Sequence, residues 1–127
     1  EIHPLCTQEP LIAYLRTQKI TPVAYSSLAP LNTWRSRPNE ASSKTNRDDT
    51  RIASIAAKYQ VTEAQLLLRW ALQHGYPVLP KSIDPVKQAS NLNVFGFTID
   101  AADMQLLDGF NQNTPLAWPG INPLDCP

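Results

Sequence analysis

The sequence is 127 residues long, with 11 Lys+Arg against 11 Asp+Glu and a formal net charge of zero. Hydrophobic residues make up 43%, enough for a folded core and too many for a wholly disordered chain. The neutral balance argues against nucleic acid as a partner, and no run approaches the ~18 apolar residues of a membrane span.

The first element in chain order is a helix expected to start after Thr7 as N-cap, with Pro10 in its first turn. Leu11, Ile12, Tyr14 and Leu15 give it an apolar stripe that ends by Lys19. Ile20 to Tyr25 is β-branched and aromatic and predicts a short buried strand. Leu28 to Asp49 is a polar loop containing Trp34, and a loop of that length is usually functional. Helical spacing returns from Thr50 to Tyr59. The next helix should start at the capping box Thr62-Glu63-Ala64-Gln65 and stop at Gly75 as its C′ residue. Its Leu66, Leu67, Leu68, Trp70, Ala71 and Leu72 are apolar nearly all round, which predicts deep packing. Val78 to Lys81 reads as a second short strand. Asp84-Pro85 then reads as an N-cap with Pro at N1, opening a helix through about Asn91. Asp100 to Phe110 is the last helix, and Gln112 to Pro127, with Trp118, is an irregular tail.

Strands separated by helices imply an α/β protein with parallel pairing and right-handed crossovers. A parallel sheet is buried on both faces and needs several strands, so two short ones read as part of something larger. In such proteins ligands bind beyond the C-terminal ends of the strands. Two segments qualify. In Ala24-Tyr25-Ser26-Ser27-Leu28 an aromatic can stack on a flat ring while hydroxyls and turn amides meet phosphate oxygens; a core tyrosine before a Ser-rich turn is the competing reading. In Lys81-Ser82-Ile83-Asp84-Pro85-Val86-Lys87 two lysines and a serine face a helix N-terminus, which makes an anion site; two solvated lysines beside a capped helix are the alternative. Together the two surfaces suit a nucleotide. His3 and His74 have no ligand partner at metal spacing, so no metal is expected. Cys6 and Cys126 are too few for a disulfide scaffold and point to a reducing, cytoplasmic setting.

The stretches Glu1-Ile2-His3-Pro4, Ala24-Tyr25-Ser26-Ser27-Leu28, Gln65-Leu66-Leu67-Leu68-Arg69-Trp70, Leu79-Pro80-Lys81-Ser82 and Asn93-Val94-Phe95-Gly96-Phe97 occur in that order. As a set they resemble the C-terminal part of the aldo-keto reductase superfamily, from the first residue to about Asn111. The resemblance implies the C-terminal portion of a (β/α)8 TIM barrel: the end of the sixth strand at Glu1 to Pro4, parallel strands seven and eight with their helices, and an extra C-terminal helix. It makes residues 1–127 a partial barrel domain, with 112–127 as its variable substrate loop. It implies an NADP(H)-dependent oxidoreductase that reduces aldehydes or ketones, small carbonyl compounds, to alcohols. Tyr25 would stack on the nicotinamide, and Ser26 and Leu28 would contact the pyrophosphate. Lys81 and Ser82 would hold the 2′-phosphate, with Lys87 beside them, and Asn91 would contact the adenine. Trp34 and Trp118 would help shape the substrate pocket.

Two positions depart from the family pattern. Lys87 stands where an Arg is common, keeping charge but losing bidentate binding. Ser90 stands where a Glu often sits beside the adenine. The family's catalytic Asp, Tyr, Lys and His match nothing in this sequence, and Tyr14, Tyr25, Tyr59 and Tyr76 do not fill the role, so no catalytic residue is assigned. The expectation is that Glu1 opens inside a strand motif, with the N-terminal half of the barrel as the missing partner. The complete protein would be a monomer, whereas the isolated segment would be inactive and would self-associate through open strand edges and an exposed apolar face around Leu66 to Leu72. The alternative is a non-catalytic protein of the same fold, a crystallin-like structural protein or a channel-associated binding subunit. A small helical interaction module would leave the strand-end chemistry as coincidence.

Overall fold

The computed structural model of the chain describes residues 1–31 and 50–117. Trp34, Trp118, Cys126 and most of the expected long loop and tail therefore lie outside the described residues. The described residues form five α-helices, α1 (Glu9–Thr17), α2 (Thr50–Lys58), α3 (Glu63–Gln73), α4 (Pro85–Leu92) and α5 (Ala101–Asp108), with a short 3₁₀ turn at Ala29–Leu31.

Local end signals explain most of these boundaries. At α3 the Thr62 hydroxyl accepts from the Gln65 amide at 3.2 Å while the Gln65 side chain accepts from the Thr62 amide at 3.0 Å, closing the expected capping box. The same helix ends with the Gly75 amide donating to the Leu72 carbonyl and the Tyr76 amide to the Ala71 carbonyl. That pairing requires a left-handed residue after the cap, and Gly75 has φ +81°. Asp84 caps α4 through the Val86 amide, and Asp100 caps α5 through the Asp103 amide. The start of α1 differs from expectation. Gln8, at φ 55°, occupies the N-cap without a side-chain bond, and the Thr7 amide is drawn instead to Asn111 Oδ1.

The largest correction concerns the strands. Among the described residues, Ile20 to Tyr25 and Val78 to Lys81 form no strand; they meet in a single parallel bridge, Ala24 with Val78. The Ala24 amide donates to the Pro77 carbonyl at 2.8 Å. Pro22 and Pro77 offer no amide donors for a rung before the bridge, and the left-handed turn at Ser26 takes the chain out of register after it. Glu1 to Pro4 likewise forms no strand: His3 and Cys6 pair in a tight antiparallel turn, and the Ile2 amide reaches the Tyr25 carbonyl at 3.2 Å.

The core joins α2 (Ile52, Ile55, Ala56) to α3 (Leu66, Leu67, Trp70, Ala71), with Leu107 and Phe110 from the α5 region and Ile2, Leu5, Ile12 and Ala24 from the first third of the chain. The apolar face of α3 is thus covered from within, contrary to the expectation that it would be open. Exposed apolar side chains lie elsewhere, around α4, at Leu79, Ile83, Val86, Leu92 and Phe95. No helix among the described residues is long and apolar enough to cross a membrane.

Candidate functional site

Two clefts lie where the strand-end segments run out. One, of about 660 Å³, is lined by Tyr25, Ser26, Ser27, Leu28, Leu79, Pro80 and Lys81. The second, of about 540 Å³, is lined by Leu28, Leu31, the first turn of α3 (Thr62, Glu63, Ala64), Lys81 to Ile83, and Lys87, Ser90 and Asn91 from α4. Leu28 and Lys81 border both, so the clefts adjoin. All seven residues expected to hold a cofactor line one or both.

The Ala24–Val78 bridge sets the first cleft. Ala24 is fully buried there, and the next residue, Tyr25, is 44% exposed. Ser26 then turns the chain with φ 53°, a left-handed conformation rare outside glycine. The Ser27 hydroxyl closes this corner by donating to the Ala24 carbonyl at 3.1 Å, and both serines line the cleft.

The second cleft is built on the start of α4. Ser82 Oγ accepts from the Asp84 amide at 3.1 Å, and Gln88 Nε2 donates to the Ser82 carbonyl at 2.7 Å. Gln65 fixes the far wall, its Nε2 donating to the Ser90 and Asn93 carbonyls at 3.2 and 2.9 Å. Lys81 and Lys87 are exposed and make no ion pair among the described residues. Two unpaired ammonium groups beside a capped helix start form a surface for an anion.

The residues that spacing did not single out are Thr62, Glu63 and Ala64. Their signal was present, since the capping box marks a helix start, but only the tertiary fold brings that start opposite Lys81 and Lys87.

Other polar groups are bound within the fold. Tyr59 donates to Asp103 Oδ2 at 2.6 Å, and burial together with that bond pushes its phenol up. Burial also raises Tyr76. Neither is tuned as an acid. His74 meets Asp108 Oδ1 at 2.9 Å, an oxygen that also accepts from Trp70 Nε1 at 2.7 Å. Burial pushes the Cys6 thiol up, away from a reactive thiolate. No group of three metal-ligating side chains occurs among the described residues.

Tyr25 thus lines the first cleft, Lys87 the second, and Lys81 both. A family model described as the aldo/keto reductase family matches residues 1–112. The chain is 39% identical over 126 residues to a probable NAD(P)H-dependent D-xylose reductase, xyl1, of Aspergillus fumigatus, covering 95% of this chain and 40% of that protein. It is 35% identical over 122 residues to aldo-keto reductase family 1 member A1-A of Danio rerio, covering 95% and 36%. Among solved structures, a mutant of Gox0644 in complex with NADPH superposes with a TM-score of 0.69 at 36% identity, over 88% of this chain and 36% of that one. An aldo/keto reductase from Brucella melitensis gives 0.70 at 30% identity, over 87% and 37%. The chain thus spans 36–40% of the length of these two curated relatives, and the likeness supports an α/β fold.

Proposed function

This chain belongs to the aldo/keto reductase family, and on that premise we propose that it is the cofactor-holding C-terminal part of a (β/α)8 barrel. The complete protein would be an NADP(H)-dependent oxidoreductase reducing aldehydes or ketones to alcohols. The observation that carries this reading is the pair of adjoining clefts, which puts the half-exposed Tyr25 along the same surface as Lys81 and Lys87, two lysines with no ion pair among the described residues. Relatives named as NAD(P)H-dependent reductases and a neighbour in complex with NADPH support it.

Bound NADPH would supply the hydride. The residues of this chain would do the holding. Tyr25 offers its face to the nicotinamide, and the corner at Ser26 and Leu28 borders the pyrophosphate. Lys81, Ser82 and Lys87 gather the 2′-phosphate, where charge-assisted bonds are about twice as strong as neutral ones. Asn91, on the wall fixed by Gln65, meets the adenine. The proton donor and its partners would come from the rest of the barrel, which would also cover the apolar side chains exposed around α4. Without that cover the same side chains favour self-association. Residues 112–127, with Trp34 and Trp118, would shape the substrate pocket, and a cytoplasmic setting suits a chain that keeps Cys6 as a buried free thiol.

The test uses the complete polypeptide, NADPH and a simple aromatic aldehyde. Turnover is expected, and Lys81→Ala should weaken NADPH binding about tenfold or more. NADPH binding without turnover would instead identify a non-catalytic member of the fold. Unchanged binding in Lys81→Ala would remove the cofactor assignment of the clefts.

A further inference from the structure

A further cavity, of about 330 Å³, shares no lining residue with either cleft. Glu9, Ile12, Ala13 and Arg16 recur at helical spacing on α1 and form one wall. Trp70 and His74, one turn apart on α3, line it together with Tyr76. These rings pack on one another, His74 stacked on Tyr76 with centroids at 5.6 Å and Trp70 edge-on to His74 at 4.7 Å.

The charges sort to opposite ends. Arg16 Nη2 donates to the Tyr76 hydroxyl at 3.4 Å, and burial keeps that phenol protonated, its own proton left to donate. At the other end the Thr7 amide donates to Asn111 Oδ1 and the Asn111 amide to the Asp108 carbonyl, which brings Thr7 and Glu9 towards Asp108. Asp108 Oδ1 is taken by Trp70 and His74, and Oδ2 makes no hydrogen bond among the described residues. Glu9 and Arg16 stand about two turns apart on α1. Neither makes an ion pair among the described residues. The helix dipole accounts for a first-turn Glu and a last-turn Arg. It does not account for an aromatic cavity between them, nor for Thr7. Thr7 lines that cavity at 7% exposure, and its buried hydroxyl has no partner among the described residues. A buried polar group left alone is unfavourable until a bound molecule meets it.

We propose that this cavity is a second ligand site, separate from the cofactor clefts, for an ω-amino acid with a short hydrocarbon chain. Arg16 and Tyr76 would hold the carboxylate, where a guanidinium makes charge-assisted bonds. Glu9 and Asp108 would hold the ammonium, beside the face of an indole. The chain between the two charges would lie on Ile12, Ala13 and the stacked rings. The proposal stands whether or not the clefts hold NADPH, because the two places share no residue.

The test is calorimetry on the complete polypeptide with ε-aminocaproate as the probe. Hexylamine and caproate, each carrying one of its two charges, serve as comparisons. The zwitterion should bind about tenfold or more tighter than either. In NMR it should shift the Trp70 indole N–H, which locates it against α3. Arg16→Gln should abolish its advantage over hexylamine, and Glu9→Gln should weaken it about threefold or more. Both side chains are exposed, so both variants keep the core intact. The Kd for NADPH should stay within about twofold in each. Absence of binding, equal affinity for the three probes, or an Arg16→Gln protein that keeps the preference would overturn the proposal. Competition between ε-aminocaproate and NADPH would overturn it as well, by placing the probe in the clefts. Loss of NADPH binding alone would sink the cofactor reading and leave this site standing.

Discussion

The pair α2–α3 and the strand-end segments that carry the clefts solve the same problem differently. In α3 every end signal is met locally: a reciprocal box at Thr62 and Gln65, and a glycine-terminated stop at Gly75. The face between them is buried by the chain's own residues. The strand-end segments share one bridge, and Tyr25, Leu79 and Ile83 remain solvent-exposed. A helix pairs its own backbone groups, whereas a strand depends on neighbours for every bond. The clefts are therefore placed by helices that close their own hydrogen bonds, and lined in large part by segments that do not.

That contrast can be broken most severely at Trp70. It is 1% exposed and holds Asp108 through Nε1 at 2.7 Å, so Trp70→Ala should cost about 3–5 kcal/mol in chemical denaturation. A loss below about 1 kcal/mol would show that α3 is not the centre of stability. Gln65→Ala tests the link between the regions. It removes a cap partner and the donor to Ser90 and Asn93, and should cost about 1–3 kcal/mol while also weakening NADPH binding in calorimetry. A fall in stability with unchanged affinity would make the two regions independent. Lys87→Arg addresses the open surface alone, with NADPH affinity expected to rise by roughly 1 kcal/mol and melting unchanged.

The smallest effect is electrostatic. Lys58 Nζ lies 2.7 Å from both Asp100 and Asp103, and its bond to Asp100 lowers that carboxyl to about 2. A depressed carboxylate stabilises the fold above its unfolded pKa, and the contribution vanishes as pH falls through the folded value. The gap in Tm between wild type and Lys58→Met should close from about pH 5 downward. Because these groups face solvent, added salt should narrow it too.

What could be read from the sequence follows from the range of each signal. The caps at Thr62, Asp84 and Asp100 act over two or three residues and were legible. The Thr7 cap failed because the backbone turns left-handed at Gln8, which takes the N-cap position and leaves the buried Thr7 hydroxyl without a partner among the described residues; no local pattern records that. The two strands failed for a related reason, since β-branched composition signals a preference whose fulfilment lies with neighbours. At the site, Tyr25, Lys81, Ser82, Lys87 and Asn91 were named from motifs. The Glu63 wall was not, because it comes to line the same cleft as Lys87 only in the folded chain. Glu1 and Leu116 lie 115 positions apart, so their contact left no trace in any window.

The left-handed corner at Ser26 constrains heredity as well as shape. At φ 53° the backbone accepts Gly, Asn, Asp or a small polar residue, and penalises Val, Ile and Thr before any ligand is considered. A saturation library at position 26 selected only for folding should already be depleted of β-branched side chains. Gly, Asn, Asp and other small residues should survive, so the backbone narrows the choice at position 26 before any ligand acts.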